Sequence, residues 1–214
     1  MEDKMLDVEG RVKRYWYSDG IAELSIGGMF LLLGLYFGIQ GYFGESSTVG
    51  VILQVSMVLV MIGGILGANW LVNSLKARLT YPRTGYVEYR ANDKDAKQRR
   101  YLFLAVTLVL AIASITLLDY IREVDSMVLG TGIMVGVVFA LLRGKSSGVT
   151  RFFYLGGFSF VLGIGLSFDN LSQAYNLGLF YGLLGVAIMT SGIAVLRRYL
   201  SENPMPVDMD DENE

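Results

Sequence analysis

The sequence predicts an all-α polytopic membrane bundle: six transmembrane helices in three hairpins, with both termini on the cytoplasmic side. Three observations predict it: charge-free apolar runs long enough to span a bilayer, basic residues gathered on alternate connections, and small residues spaced for close helix contact. Hydrophobic residues make up 53% of the 214, mean hydropathy is +0.46, and the apolar residues lie in blocks longer than a soluble core needs.

A spanning helix needs about 20 mostly apolar residues, with roughly 17–25 tolerated. Uncharged windows of 21 residues separate Glu23 from Glu45, and of 30 residues Glu45 from Lys76. Further windows of 18, 17, 17 and 27 residues run between Arg100 and Asp119, Asp125 and Arg143, Arg151 and Asp169, and Asp169 and Arg197. These windows place helices near 20–43, 49–75, 100–119, 126–143, 151–168 and 176–199. Arg143 and Arg151 can snorkel, which lengthens the two shortest spans.

Orientation follows from the cations, because short basic loops stay cytoplasmic. Of the 18 Lys and Arg, 17 fall in the N-terminal segment, the 76–100 connection, the 143–151 connection and the end near Arg197 and Arg198; Arg122 alone falls on the other side. The remaining connections are short and carry Glu45, Asp119, Glu123, Asp125 and Asp169. The chain therefore divides into a cytoplasmic segment 1–19, a transmembrane domain 20–199 with a cytoplasmic loop 76–100, and an acidic, disordered cytoplasmic tail 200–214. Residues 1–19 mix acids and bases without an apolar run, so no cleaved signal peptide is expected. The expected location is a prokaryotic cytoplasmic membrane.

Inside lipid, helices associate by close packing, and glycine lets backbones approach. Gly34 with Gly38, Gly63 with Gly67, Gly132 with Gly136, Ser159 with Gly163, and Gly178 with Gly182 have the spacing of contact faces, within one bundle or between copies in a homo-oligomer. The first and third hairpins also look duplicated. Gly27, Gly28 and Gly34 match Gly156, Gly157 and Gly163 at a constant offset.

Histidine and cysteine are both absent. Their absence removes the usual zinc, copper, haem and iron–sulfur ligands and the commonest general base, so no metal or cofactor is expected. Nucleic acid is not an expected partner. Mid-depth ionisable residues mark proton and ion paths, and the polar residues there are neutral: Ser56, Ser114, Thr131, Ser159, Thr190 and Ser191. Asn69 and Asn73 are expected to satisfy each other or a neighbouring helix.

Two motifs stand out on the expected cytoplasmic side. In "RYWYSDGIAE", Tyr15, Trp16 and Tyr17 suit the aromatic belt, Ser18 or Asp19 can cap the first helix, and Asp19 and Glu23 lie at its positive end. Glu23 lies about one turn inside the bilayer and needs a cation, expected to be Arg83 or another loop arginine. In "LTYPRTGYVEYR", Tyr81-Pro82 is expected to stop the second helix, Pro82 to Gly85 to turn, and Tyr86 to Arg90 to alternate as a short strand. The 76–100 connection carries a net charge of +5 and should attract anionic headgroups. The candidate binding residues are Asp19, Glu23, Tyr81, Arg83, Tyr86 and Tyr89; no catalytic residue is assigned.

The stretch Asp19-Gly-Ile-Ala22 is similar to the start of the Asp-Gly-x-x-Ala-Arg pattern of CDP-alcohol phosphotransferases. However, Ala22 comes one residue early, Glu23 replaces the arginine, and no aspartate follows until residue 93, so that enzyme is rejected. Taken together, "RYWYSDGIAEL" and "TYPRTGYVEYR" resemble a group of uncharacterised prokaryotic multi-pass membrane proteins. That resemblance implies one cytoplasmic-face site and carries no chemistry with it. The expected function is a non-enzymatic membrane partner or sensor-like subunit that recruits a protein or an anionic lipid. The alternatives are a transporter or channel component for a small neutral or lipidic molecule, and a lipid-modifying enzyme using Asp19, Glu23 and Arg83.

Overall fold

A computed structural model of the chain describes residues 18–44, 46–84, 126–141 and 150–204. Five helices account for nearly all of these residues: α1 (Ile21–Phe43), α2 (Thr48–Leu75), α3 (Ser126–Leu141), α4 (Arg151–Ser167) and α5 (Gln173–Glu202), with no strand among the described residues. Three are long and apolar enough to cross a membrane: α1, α5, and α2 with its continuation to Arg83. The expected third span, near 100–119, lies outside the described residues, as does the strand expected at Tyr86 to Arg90.

Local chemistry sets the helix ends. Ser47 caps α2 by accepting from Gly50 N at 2.9 Å, and Ser172 opens α5 in the same way by accepting from Tyr175 N. Gly44 closes α1 with φ of 80°, and its N–H donates to Gln40 O. At Tyr81-Pro82 the structure corrects the sequence reading: α2 does not stop there. A π turn, Lys76–Thr80, continues it into a last α-helical turn, Tyr81–Thr84, and Tyr81 N donates five residues back to Lys76 O. The wider turn makes room for a proline ring that would clash with the carbonyl four residues earlier in a regular helix.

The most extensive packing is between α1 and α5, followed by α3 with α4. The α1–α5 seam is antiparallel and built from glycines seven apart: Gly20, Gly27, Gly34 and Gly41 on α1 and its cap, and Gly178, Gly185 and Gly192 on α5. A Cβ on Gly34 would meet Gly182 N at 2.6 Å, one on Gly185 would meet Leu31 N at 2.8 Å, and one on Gly192 would meet Gly20 O at 3.0 Å. A seven-residue period keeps one stripe of each helix facing the other along its length. Gly20 also has φ of 72°, so this position needs glycine for both conformation and space.

The two hairpins matched in sequence use their glycines alike. Gly27 and Gly34 approach α5, Gly156 and Gly163 approach α3, and Gly28 and Gly157 have open space where a Cβ would stand. Gly132 meets Gly163, and Gly136 meets Gly156. Gly34 and Gly178 meet backbone across the α1–α5 seam, whereas a Cβ on Gly38, Gly63, Gly67 or Gly182 would have no described neighbour within 4 Å. Phe180, Leu184 and Ile188 of α5, Phe152 of α4 and Val128 of α3 fill the core where these helices meet. Contact between α2 and the rest is mainly with α1, and polar bonds pin it there: Ser25 Oγ donates to Ala68 O at 3.0 Å, and Tyr36 Oη donates to Leu53 O at 2.7 Å.

Candidate functional site at the charged end of the bundle

The start of α1, the π turn after α2, the start of α4 and the last third of α5 come together at one end, around two carboxylates with almost no solvent exposure. Asp19 is 0% exposed and Glu23 1%. A buried carboxylate costs several kcal/mol unless paired and hydrogen-bonded, so its partners define the site.

Asp19 precedes the first turn of α1. The cap itself is Gly20 and not Ser18 or Asp19, but Asp19 Oδ1 accepts from Ile21 N, the first residue of the helix, at 3.1 Å. Asp19 Oδ2 accepts from Thr80 Oγ1 at 3.0 Å and from Lys76 Nζ at 3.4 Å. Lys76 and Thr80 are the first and last residues of the π turn, and both are buried. Thr80 belongs to the "LTYPRTGYVEYR" stretch, so that motif touches "RYWYSDGIAE" directly through Asp19.

Glu23 lies one turn further into α1. Its Oε1 accepts from Arg151 Nε, and its Oε2 accepts from Ser191 Oγ at 3.2 Å. The cation is thus Arg151, the first residue of α4, and not Arg83. Geometry explains the difference: Arg83 lies beyond the π turn, where its Nη1 donates to Leu79 O at 2.7 Å on its own helix. Arg83 Nε is buried and finds no acceptor among the described residues.

All four carboxylate oxygens of Asp19 and Glu23 therefore accept from described donors, and two carboxylates face two cations. The cluster ties α1 to α2, α4 and α5 at one level. Of the other sequence candidates, Tyr81 is half-buried in the last turn of the second helix, while Tyr86 and Tyr89 lie outside the described residues. Asn69 and Asn73 are both exposed.

Sequence reasoning missed Lys76, Thr80, Arg151 and Ser191. A signal existed for the first two: a cation and a hydroxyl four apart at the end of an apolar span share a helix face. Ser191, expected at mid-depth, lies at the level of Glu23 because α5 runs past the expected span end to Glu202.

Outside the cluster the same end holds exposed arginines. Arg198 pairs with Glu202, Nε to Oε1 at 2.7 Å. No described carboxylate lies within ion-pair reach of Arg78, Arg83 or Arg197, and Arg78 and Arg197 are exposed. An apolar hollow of about 280 Å³ opens between α3 and α4, walled by Phe153 and Phe160. No protein-family model, no curated protein and no solved structure matches this chain.

Proposed function

We infer that this is a six-span protein of a prokaryotic cytoplasmic membrane, with both ends cytoplasmic, acting as a non-enzymatic partner or sensor-like subunit. Its charged end recruits an anionic headgroup or the acidic surface of a cytoplasmic protein. One observation carries the reading: the buried carboxylates are already matched by Lys76 and Arg151, which leaves Arg78, Arg83 and Arg197 with no carboxylate partner among the described residues. Basic residues beside a membrane attract anionic headgroups by about 1 kcal/mol each.

The two alternatives receive less support. Asp19 and Glu23 lie at the same end of α1, but Arg83 bonds neither of them, so the constellation that a lipid-modifying enzyme would use is not assembled among the described residues. The hollow between α3 and α4 is lined by apolar groups, so it would suit a lipidic molecule but offers a polar solute no hydrogen-bonding side chain.

The test is lipid retention. Protein exchanged into nanodiscs of equal phosphatidylglycerol and phosphatidylcholine, then released for native mass spectrometry, should hold phosphatidylglycerol preferentially. The Arg78→Ala, Arg197→Ala variant should lose that preference. Equal retention of both lipids by the wild type, with no acidic protein captured through the same arginines, would remove the reading.

A further inference from the structure

Among the described residues the charged end holds more cations than carboxylates. Three described carboxylates lie there, Asp19, Glu23 and Glu202, and each is held by its own cation: Lys76, Arg151 and Arg198. Arg78, Arg83 and Arg197 have no described carboxylate. Arg83 adds a second, independent sign, because its buried Nε–H has no acceptor among the described residues while its Nη1 is engaged with Leu79 O. A buried guanidinium donor left unmatched costs free energy that an incoming carboxylate would recover.

The chain carries such carboxylates immediately beyond α5. Residues 205–214, "MPVDMDDENE", contain Asp208, Asp210, Asp211, Glu212 and Glu214 and no Lys or Arg. They follow Pro204, two residues past the end of α5.

Reach is sufficient. α2 and α5 both pack on α1, so their axes are separated by no more than two interhelical distances, about 20 Å. Gly192 of α5 lies beside Gly20, at the level of Asp19 and Lys76, and α5 runs on for ten residues, about 15 Å, to Glu202. Ten residues of chain can span up to about 33 Å.

We propose that the acidic segment 205–214 docks at the end of the second helix, on Arg78 and Arg83, and there competes with the anionic partner of the charged end. The second half of this statement rests on the function proposed above; the first half does not. Opposite charges on one chain meet at a high effective concentration, so the contact forms without a large interface. It is governed by charge and is therefore weakened by salt, since the screening length falls from about 10 Å at 0.1 M to about 3 Å at 1 M.

The chain contains no cysteine, so a donor–acceptor dye pair can be placed at Ala77→Cys and Asn213→Cys in an otherwise unlabelled protein. Energy transfer should be high at 0.05 M NaCl and fall at 1 M. It should also be low at 0.05 M in a variant with Asp208→Asn, Asp210→Asn, Asp211→Asn, Glu212→Gln and Glu214→Gln, which leaves every residue of the folded helices unchanged. Transfer that ignores both salt and neutralisation would overturn the docking.

A second arm measures binding of short-chain phosphatidylglycerol to detergent-solubilised protein. The neutralised variant should bind roughly tenfold more tightly, a change of about 1.4 kcal/mol. Equal affinities would overturn the competition. If neither protein bound the lipid, the recruitment reading would fail on that ligand, and the dye pair would still decide the docking.

Discussion

Arg151 Nε donates to Glu23 Oε1 across 128 residues of sequence, joining the first residue of α4 to the first turn of α1. The two side chains differ in their access to water: that of Glu23 is 1% exposed and that of Arg151 25%. This asymmetry gives the pair an uneven response to mutation.

Arg151→Ala leaves a buried carboxylate with Ser191 as its remaining described donor and is predicted to cost about 3–5 kcal/mol. Glu23→Gln leaves an arginine that can turn outward to water, and is predicted to cost less, about 1–3 kcal/mol. Denaturant unfolding in detergent, monitored by the tryptophans, measures both. A larger loss for Glu23→Gln than for Arg151→Ala would contradict the assigned burial.

Asp19 and Lys76 are both buried, so this pair should behave symmetrically. Lys76→Met alone strands the Asp19 carboxylate and should destabilise by about 3 kcal/mol. Adding Asp19→Asn removes the stranded charge while keeping a side-chain oxygen to accept from Ile21 N. The double variant should therefore recover most of the loss, giving a coupling of about 1–3 kcal/mol in a double-mutant cycle. Additive single effects would show that the contact does not bear on stability.

The glycine seam gives a position-specific prediction. Gly27→Ala pushes a methyl against Met189 N and Gly185 O and should cost about 1–3 kcal/mol through overpacking. Gly28→Ala meets nothing within 4 Å and should be neutral or stabilise by about 0.5–1 kcal/mol, because glycine weakens a helix interior. Thermal unfolding of the two single variants makes the comparison, and equal effects would rule out the seven-residue seam.

Where sequence reading succeeded and where it stopped follow from the range of the interactions involved. The limits of α1, α3 and α4 come close to the expected ones because each apolar run is bounded by ionisable residues, which mark the helix ends themselves. Four-residue spacing marks Gly34 and Gly178 but not the register that links them. Gly20, Gly27, Gly34 and Gly41 repeat every seven residues, and so do Gly178, Gly185 and Gly192; that regularity is visible in the chain once it is looked for.

The partner of Glu23 is a different kind of problem. Arg83 and Arg151 are equally plausible in one dimension, and only the packing of α4 against α5, which in turn packs on α1, selects Arg151. At Pro82 a local rule gives the wrong local answer: Tyr81, the residue before the proline, keeps helical angles, φ −63° and ψ −37°, and the helix continues through it. The π turn at Lys76–Thr80 carries the two side chains that reach Asp19.

The account stands on membrane insertion with the charged end facing the cytoplasm. The most direct test is a single cysteine at exposed Ala77, beside Arg78, probed with a membrane-impermeant maleimide in sealed vesicles of both orientations. Labelling of inverted vesicles, with right-side-out vesicles protected until they are permeabilised, is the predicted result. Labelling of intact right-side-out vesicles, or recovery of the protein in the soluble fraction without detergent, would contradict it.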